Sequence, residues 1–255
     1  MQHQRSACGD RAGTLGRAAG GELIMASTKD RILETSLDLF NRRGERNVTT
    51  NHIAEALGIS PGNLYYHFRN KSVIVAALFG RYEEQFLALL AAPQGPLTWR
   101  DKVHYFEGIL ASLWQHRFFH RDLGHFLNQD DELNGRYRTF VSTVFERGLV
   151  IYRELRASGI LEMDDEQLSG LMVNTWVLVS SWAGMVHGLY PQAGEDEALD
   201  EKLIRQGMYQ LICLEEPFLR GEAREHLAEM QARYRMGDSL ALLLGNQPGL
   251  ARTGS

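Results

Sequence analysis

The segment from Asn47 to Ser72, NVTTNHIAEALGISPGNLYYHFRNKS, holds the side chains best suited to reading nucleic acid. Asn63 carries a donor and an acceptor side by side, a match for an adenine edge, although it could serve another base or the backbone equally. Pro61 and Gly62 keep the start of their helix slim, so its backbone could come close to base pairs. Tyr65, Tyr66 and His67 can reach phosphates or thymine methyls. Each of the outer two has a plainer use: Tyr65 as half-buried packing, His67 as a local hydrogen-bonding group. Lys71 would add a point charge to a helix N-terminus, a natural anion seat.

These groups need a scaffold, and the same residues supply one. Thr49 or Thr50 can cap a helix that turns Ile53, Ala54 and Leu57 inward. Gly58 permits the left-handed turn that follows. Ser60 can cap the next helix, with Pro61 at the first position, where a missing N–H is harmless. Ile59, Leu64 and Phe68 then close a small core with Ile53 and Leu57. Upstream, Ile32, Leu33, Ser36, Leu37 and Phe40 recur at helical spacing, and Gly44 ends the run. Asn70 can cap a fourth helix reaching about Leu90 before Pro93.

The rest of the chain is also helical in pattern, with no alternating strands, so the fold class is all-α. Thr98 and Asp101 form a capping-box pattern before a helix over 99–117. Further helices are expected over 118–127, 131–158, 164–187, 197–216 and 222–244. The chain divides into residues 1–25, an extension or a misassigned start ahead of Met25; a helix-turn-helix head, 26–72; a helical body, 73–220; and a last helix with a loose tail, 221–255.

Bulk properties bound the function. The 255 residues carry a net charge of -5, yet between residues 25 and 72 seven basic side chains outnumber five acidic ones. A mildly basic head on an acidic body fits phosphate contact by the head alone. Cys8 and Cys213 form no CxxC pair, which excludes a disulfide framework and fits a reducing cytoplasm. Residues 1–24 lack the apolar stretch of a signal peptide. Residues 171–190 imitate a membrane span in length, but Asn174, Thr175, Ser180, Ser181 and His187 interrupt them and no basic cluster flanks them. A buried helix is the reading, with no membrane partner.

From Val48 to Phe79 the chain resembles the TetR family of bacterial one-component transcriptional regulators, most specifically in LYYHFRNK. The stretch GISPGNLYYHF is similar to the branch that includes the polyhydroxyalkanoate-locus regulator PhaD. The resemblance implies an all-helical homodimer with reading heads and ligand-binding bodies. By motif position it puts Thr50 and Asn51 beside the DNA backbone. It makes Pro61, Gly62, Asn63, Tyr65, Tyr66 and His67 the recognition surface and Lys71 a phosphate grip.

In the body, aromatic side chains are the candidate ligand-binding residues: Tyr105, Trp114, Phe118, Phe140 and Trp176. Each could instead be plain core. His116 and His120 lie four apart, but no third ligand completes a metal site and Arg117 and Arg121 oppose a cation, so neither metal nor cofactor is expected. No nucleophile elbow, P-loop, dinucleotide fingerprint or HExxH is present, so an enzyme is not expected. The function expected is a cytoplasmic regulator, in such families more often a repressor. It would bind a near-palindromic double-stranded operator as a homodimer and be released by a small, largely apolar effector. Dimer contacts are placed around 166–187 and 197–216. The rival readings are a DNA-binding scaffold without an effector and a helical enzyme of unlisted type.

Overall fold

The computed structural model describes residues 27–190, 196–235 and Gly237. The expected N-terminal extension, the far end of the 222–244 helix and the tail lie outside them. Among the described residues every regular element is a helix, joined by one antiparallel bridge between Leu161 and Leu219. The all-α expectation holds.

The head begins with α1 (Thr28–Arg43), whose first turn is closed by a capping box between Ser27 and Asp30. Its buried stripe is Ile32, Leu33, Ser36, Leu39, Phe40 and Asn41. Gly44, at φ 79°, ends it and leads into a 3₁₀ turn, Glu45–Asn47, that the apolar pattern is too short to reveal. Then come α2 (Thr50–Leu57) and α3 (Pro61–His67). Asn70 caps α4 (Lys71–Leu89) by accepting from Val73 N at 3.0 Å.

α4 joins head to body. One stripe along it, Ile74, Val75, Leu78, Phe79, Tyr82 and Phe86, is buried from end to end. It packs on α1, on α5 (Trp99–Gln115) and on α8 (Asp131–Ala157). The expected division at residue 72 therefore falls inside the first turn of α4, and a single apolar core runs from α1 past it into the body. α9 (Asp165–Leu189) and α10 (Glu197–Glu215) complete the body.

Two expected helices are each broken. The 118–127 helix divides into α6 (Arg117–Arg121) and α7 (Leu123–Gln129) at Asp122, whose backbone leaves helical geometry (ψ 21°). The break lets Phe118, Phe119 and Phe126 all face inward, with the Phe119 and Phe126 rings stacked at 5.4 Å. The 222–244 helix divides into α11 (Gly221–Glu225) and α12 (Leu227–Tyr234) at His226, whose ring stacks on Trp99 at 4.5 Å.

Head and body are also fastened at α1's far end. Asn41 donates to Gln115 O at 2.7 Å and accepts from Phe118 N at 3.1 Å. Arg121 donates to Phe40 O at 3.0 Å, and the Phe40 and Phe118 rings meet at 5.4 Å. Beside this seam, His120 Nε2 lies 3.1 Å from the Tyr82 hydroxyl, and His116 Nδ1 lies 3.1 Å from Ser112 O. Both histidines are buried core groups, and among the described residues no three His, Cys, Asp or Glu side chains gather in a metal-binding group. Burial, with His116 close by, pulls His120 down to about 3.

The folded chain thus refuses a proton at His120 that the unfolded chain accepts below about pH 6.5. Stability from this group is complete above that pH and is lost as pH falls toward 3. By pH 5 the loss is about 2 kcal/mol. Urea unfolding midpoints should fall between pH 7 and pH 5, and His120→Leu should flatten much of that slope. A midpoint that stays level across this range would show that His120 is not held neutral.

Candidate DNA-reading surface and ligand cavity

The outward face of the head is set by what its inward face must bury. In α2, Ile53 and Ala54 are inside; in α3, Leu64 is inside, followed by Phe68 at its C-cap. Thr49 and His52 close a reciprocal cap at the start of α2, a role for His52 that the capping-box pattern of acids and amides does not advertise. Gly58 adopts the left-handed conformation (φ 66°) and donates to Glu55 O at 3.0 Å, while Ile59 donates to Ala54 O at 3.0 Å. These bonds fix the angle between α2 and α3. Ser60 then caps α3 by accepting from Asn63 N at 3.2 Å.

With Leu64 and Phe68 inward, Pro61, Gly62, Asn63, Tyr65 and Tyr66 are exposed, and His67 is half-buried. Tyr66 is 86% exposed, its ring edge-on to His67 at 5.2 Å. Tyr65 is less free, because its hydroxyl is bonded to Thr50 Oγ1 at 2.9 Å, tying α3 to the start of α2. Asn51 is exposed one residue further on. A Cβ built on Gly62 would meet only Ser60 Oγ, at 3.9 Å, and its φ is not positive. The fold itself would accept a side chain there.

Lys71 departs from its expected role. Its ammonium donates to Glu45 O and Val48 O, both at 2.9 Å, and pairs with Glu45 Oε1 at 2.9 Å. An ammonium has three N–H donors, and all three are engaged. Lys71 clamps the 3₁₀ turn under α2 instead of pointing at a phosphate. Glu45 is the buried partner that sequence spacing could not pair with it, 26 residues away.

In the body, a cavity lies between α4, α5, α8 and α9. The centre of a water-sized sphere has about 70 Å³ of room there. Phe86 and Leu90 line it from the α4 side, Phe106 from α5, Phe145 from α8 and Trp176 from α9. Of the five aromatic candidates, Tyr105 and Trp176 line it. Phe140 stands behind the wall, with its ring 5.4 Å from Phe86 and 6.3 Å from Trp176. Trp114 belongs to a separate cluster with Trp182, its indole N–H directed to Asp200 Oδ2 at 3.3 Å. Phe118 is in the head–body seam. These three are core, because an aromatic count carries no information on which rings face a void. The structure adds four polar lining or adjoining groups outside those five candidates: Lys102, Tyr152 and Thr175 in the wall, and Glu215 against them.

Residues 32–78 match the bacterial regulatory proteins of the tetR family, and residues 81–227 match the TetR family described as bacterial transcriptional repressors. The chain belongs to the TetR family. It is similar to a TetR-family transcriptional regulator of Marinobacter aquaeolei VT8 of known structure, at 39% identity and a TM-score of 0.74, covering 82% of this chain and 100% of that one. It is 36% identical over 81 residues to the transcriptional repressor KstR2 of Mycolicibacterium smegmatis, 29% of this chain and 39% of KstR2. It is 31% identical over 93 residues to the HTH-type transcriptional regulator YvkB of Bacillus subtilis, 36% of this chain and 48% of YvkB. The match thus spans less than half the length of either of these curated relatives. All three are regulators, not enzymes.

Two variants separate the roles of the head residues. Gly62→Ala should leave thermal stability unchanged or slightly raised, since alanine favours a helix over glycine by about 1 kcal/mol. The same change should weaken DNA binding, if a close backbone approach is what glycine serves; unchanged DNA binding would remove that role. Lys71→Ala leaves the buried Glu45 carboxylate without its cation and should cost about 2 kcal/mol of stability. It should leave the salt dependence of DNA binding unchanged, whereas loss of a phosphate contact would lower the slope by about 1.

Proposed function

We propose that the chain represses transcription in the cytoplasm by binding a near-palindromic double-stranded operator as a homodimer. It lets go when a small, largely apolar effector enters the cavity. The observation that carries the reading is the face of α3. Pro61, Gly62, Asn63, Tyr65 and Tyr66 are presented together to solvent on a helix whose opposite side is fully buried. Nothing inside the protein needs Gly62 to be glycine or Tyr66 to be aromatic, so an external surface is what those residue types suit. Asn63 reads a base edge, Tyr66 and His67 reach the sugar-phosphate backbone or a thymine methyl, and Thr50 and Asn51 sit beside the adjoining phosphates.

A helix of seven residues reads only a few base pairs, so useful specificity requires two copies. The body offers a surface for pairing. Along α9, Gly170, Val173, Val177, Ser181, Met185 and Gly188 form one exposed or half-exposed stripe at helical spacing, with Val177 57% exposed. No Asp, Glu, Lys or Arg occurs from Gln167 to Gly194. Small and apolar side chains in such a stripe suit close helix-on-helix contact across a twofold axis. On α10, Glu201 and Lys202 are exposed next to this region, while its other sides are taken up by α5, α9 and α12. None of the helices described is long and apolar enough to cross a membrane. The cavity between α4 and α9 favours an effector-responsive regulator over a plain DNA-binding scaffold, which has no use for it.

The reading is tested by selecting bound fragments from the source genome at low ionic strength. A near-palindromic site with half-sites about 34 Å apart is the expected product. Asn63→Ala should then relax the preference at one position of each half-site. Val177→Arg should give a folded monomer by light scattering at micromolar concentration, with operator affinity reduced at least tenfold. A monomeric wild-type protein, or failure to enrich any sequence, would overturn the proposal.

A further inference from the structure

The cavity wall is apolar except at one end, and that end is charged. Lys102 is 6% exposed and Glu215 is fully buried. The Lys102 ammonium pairs with Glu215 Oε2, and the Tyr152 hydroxyl donates to Glu215 Oε1. Thr175 Oγ1 lies 3.5 Å from the same hydroxyl. Burial and the Glu215 carboxylate push Tyr152 well above the ordinary phenol range, so it remains a donor. These four groups come from α5, α8, α9 and the last residue of α10.

Both oxygens of Glu215 are thus taken, but Lys102 is not spent. It has three N–H donors. One meets Glu215, and the ammonium sits 4.3 Å from the centre of the Phe106 ring, which offers its face to a second. A third has no protein acceptor among the described residues. A buried donor without an acceptor is costly, so this corner favours whatever brings one.

Charge decides what kind of acceptor. Lys102 and Glu215 sum to zero. A carboxylate ligand would leave the corner with a net negative charge in a nearly dry site, next to a fully buried Glu215. An amine would be repelled by Lys102 and bring no acceptor while charged. Only an uncharged acceptor satisfies the ammonium and keeps the balance.

Building on the effector reading above, we infer that the cavity takes an uncharged carbonyl compound, a ketone, ester or amide. Its oxygen accepts from Lys102 Nζ, and its apolar body lies along Phe86, Phe145 and Trp176. The free room corresponds to roughly five to seven water positions, so the portion enclosed is small, on the order of eight heavy atoms.

The test uses probes of similar size: 2-heptanone, hexane, hexanoate and hexylamine. Each is titrated calorimetrically at pH 8 against the wild type and against the double variant Lys102→Met with Glu215→Gln. The double variant removes both charges together and so avoids stranding either one. 2-Heptanone should bind the wild type and lose at least tenfold in the double variant, while hexane binds both equally. Equal hexane binding also certifies that the variant is folded with its cavity intact. Hexanoate and hexylamine should bind the wild type at least tenfold more weakly than 2-heptanone. The inference fails if hexanoate binds more tightly than 2-heptanone, if the double variant keeps its full affinity for 2-heptanone, or if no probe binds. Operator affinity, measured separately with saturating 2-heptanone, tests the effector reading on its own. Binding of the ketone without DNA release would sink that reading and leave the carbonyl assignment standing.

Discussion

The buried stripe of α4 is the constraint on which the other arrangements depend. A single helix must fit the head and the body at once. Its first turns bury Ile74, Val75 and Leu78, and its last turns bury Tyr82 and Phe86. Phe79, between them, stacks on Phe119 at 5.0 Å and meets Phe140 edge-on at 5.8 Å. Because these side chains interlock, α4 cannot rotate or slide in the body without carrying the base of the head with it. Arg81 adds a bond to Asp30, in the capping box of α1, so the start of the head is tied to the same helix. Close-packed interiors have little compliance, and a displacement at one end is passed on instead of absorbed.

A second fastening joins the head to the body. Asn41 and Arg121 lock the end of α1 to the α5–α6 corner through backbone acceptors and donors. The head is therefore held at two places: α4 on one side and the α1–α6 seam on the other. Arg121 also reaches toward the His187 ring at 3.4 Å, which brings α9 into the seam. The seam is held by hydrogen bonds, and α4 is held by its apolar contacts together with bonds from Arg81 to Asp30, Arg136 to Glu83 and Arg147 to Leu87 O.

Much of this was legible in the sequence, and what was not has a common cause. Caps and turns are local, so Ser60, Asn70, Gly58 and the Thr98–Asp101 box could be read from neighbouring residues. The inward set Ile53, Ala54, Leu64 and Phe68 followed from helical spacing, and the outward set of α3 followed from the inward one. Pairings across long stretches of chain could not be read this way. Lys71 has a helix-start position that suits an anion, and only the fold reveals Glu45 beneath it. Asp122 and His226 interrupt helices that apolar spacing alone would continue. The cavity was sought through aromatic rings, which line voids and fill cores alike. A better signal was present: Lys102 falls in the stripe of Trp99, Val103 and Phe106, and Glu215 falls in the stripe of Met208, Leu211 and Ile212. Charges set into apolar helical faces are expensive unless paired, so two such charges in one chain are candidates to meet.

The position of that pair bears on how cavity and head could communicate. Phe86 and Leu90 line the cavity from the end of α4, and Lys71 starts the same helix beside α2, about 22 Å from Phe86. A ligand that pushed on Phe86 would act on the end of the helix whose start, at Lys71, is bonded to the turn under α2. The ligand's polar end, on Lys102, would sit on α5, whose far end at Gln115 is part of the Asn41–Arg121 seam. The apolar body would press on α4 while the polar end bears on α5. For this to change DNA affinity the ligand must bind one placement of α4 more tightly than the other, because equal binding shifts nothing. Contacts to α4 together with α5, α8 and α9 would give it the means.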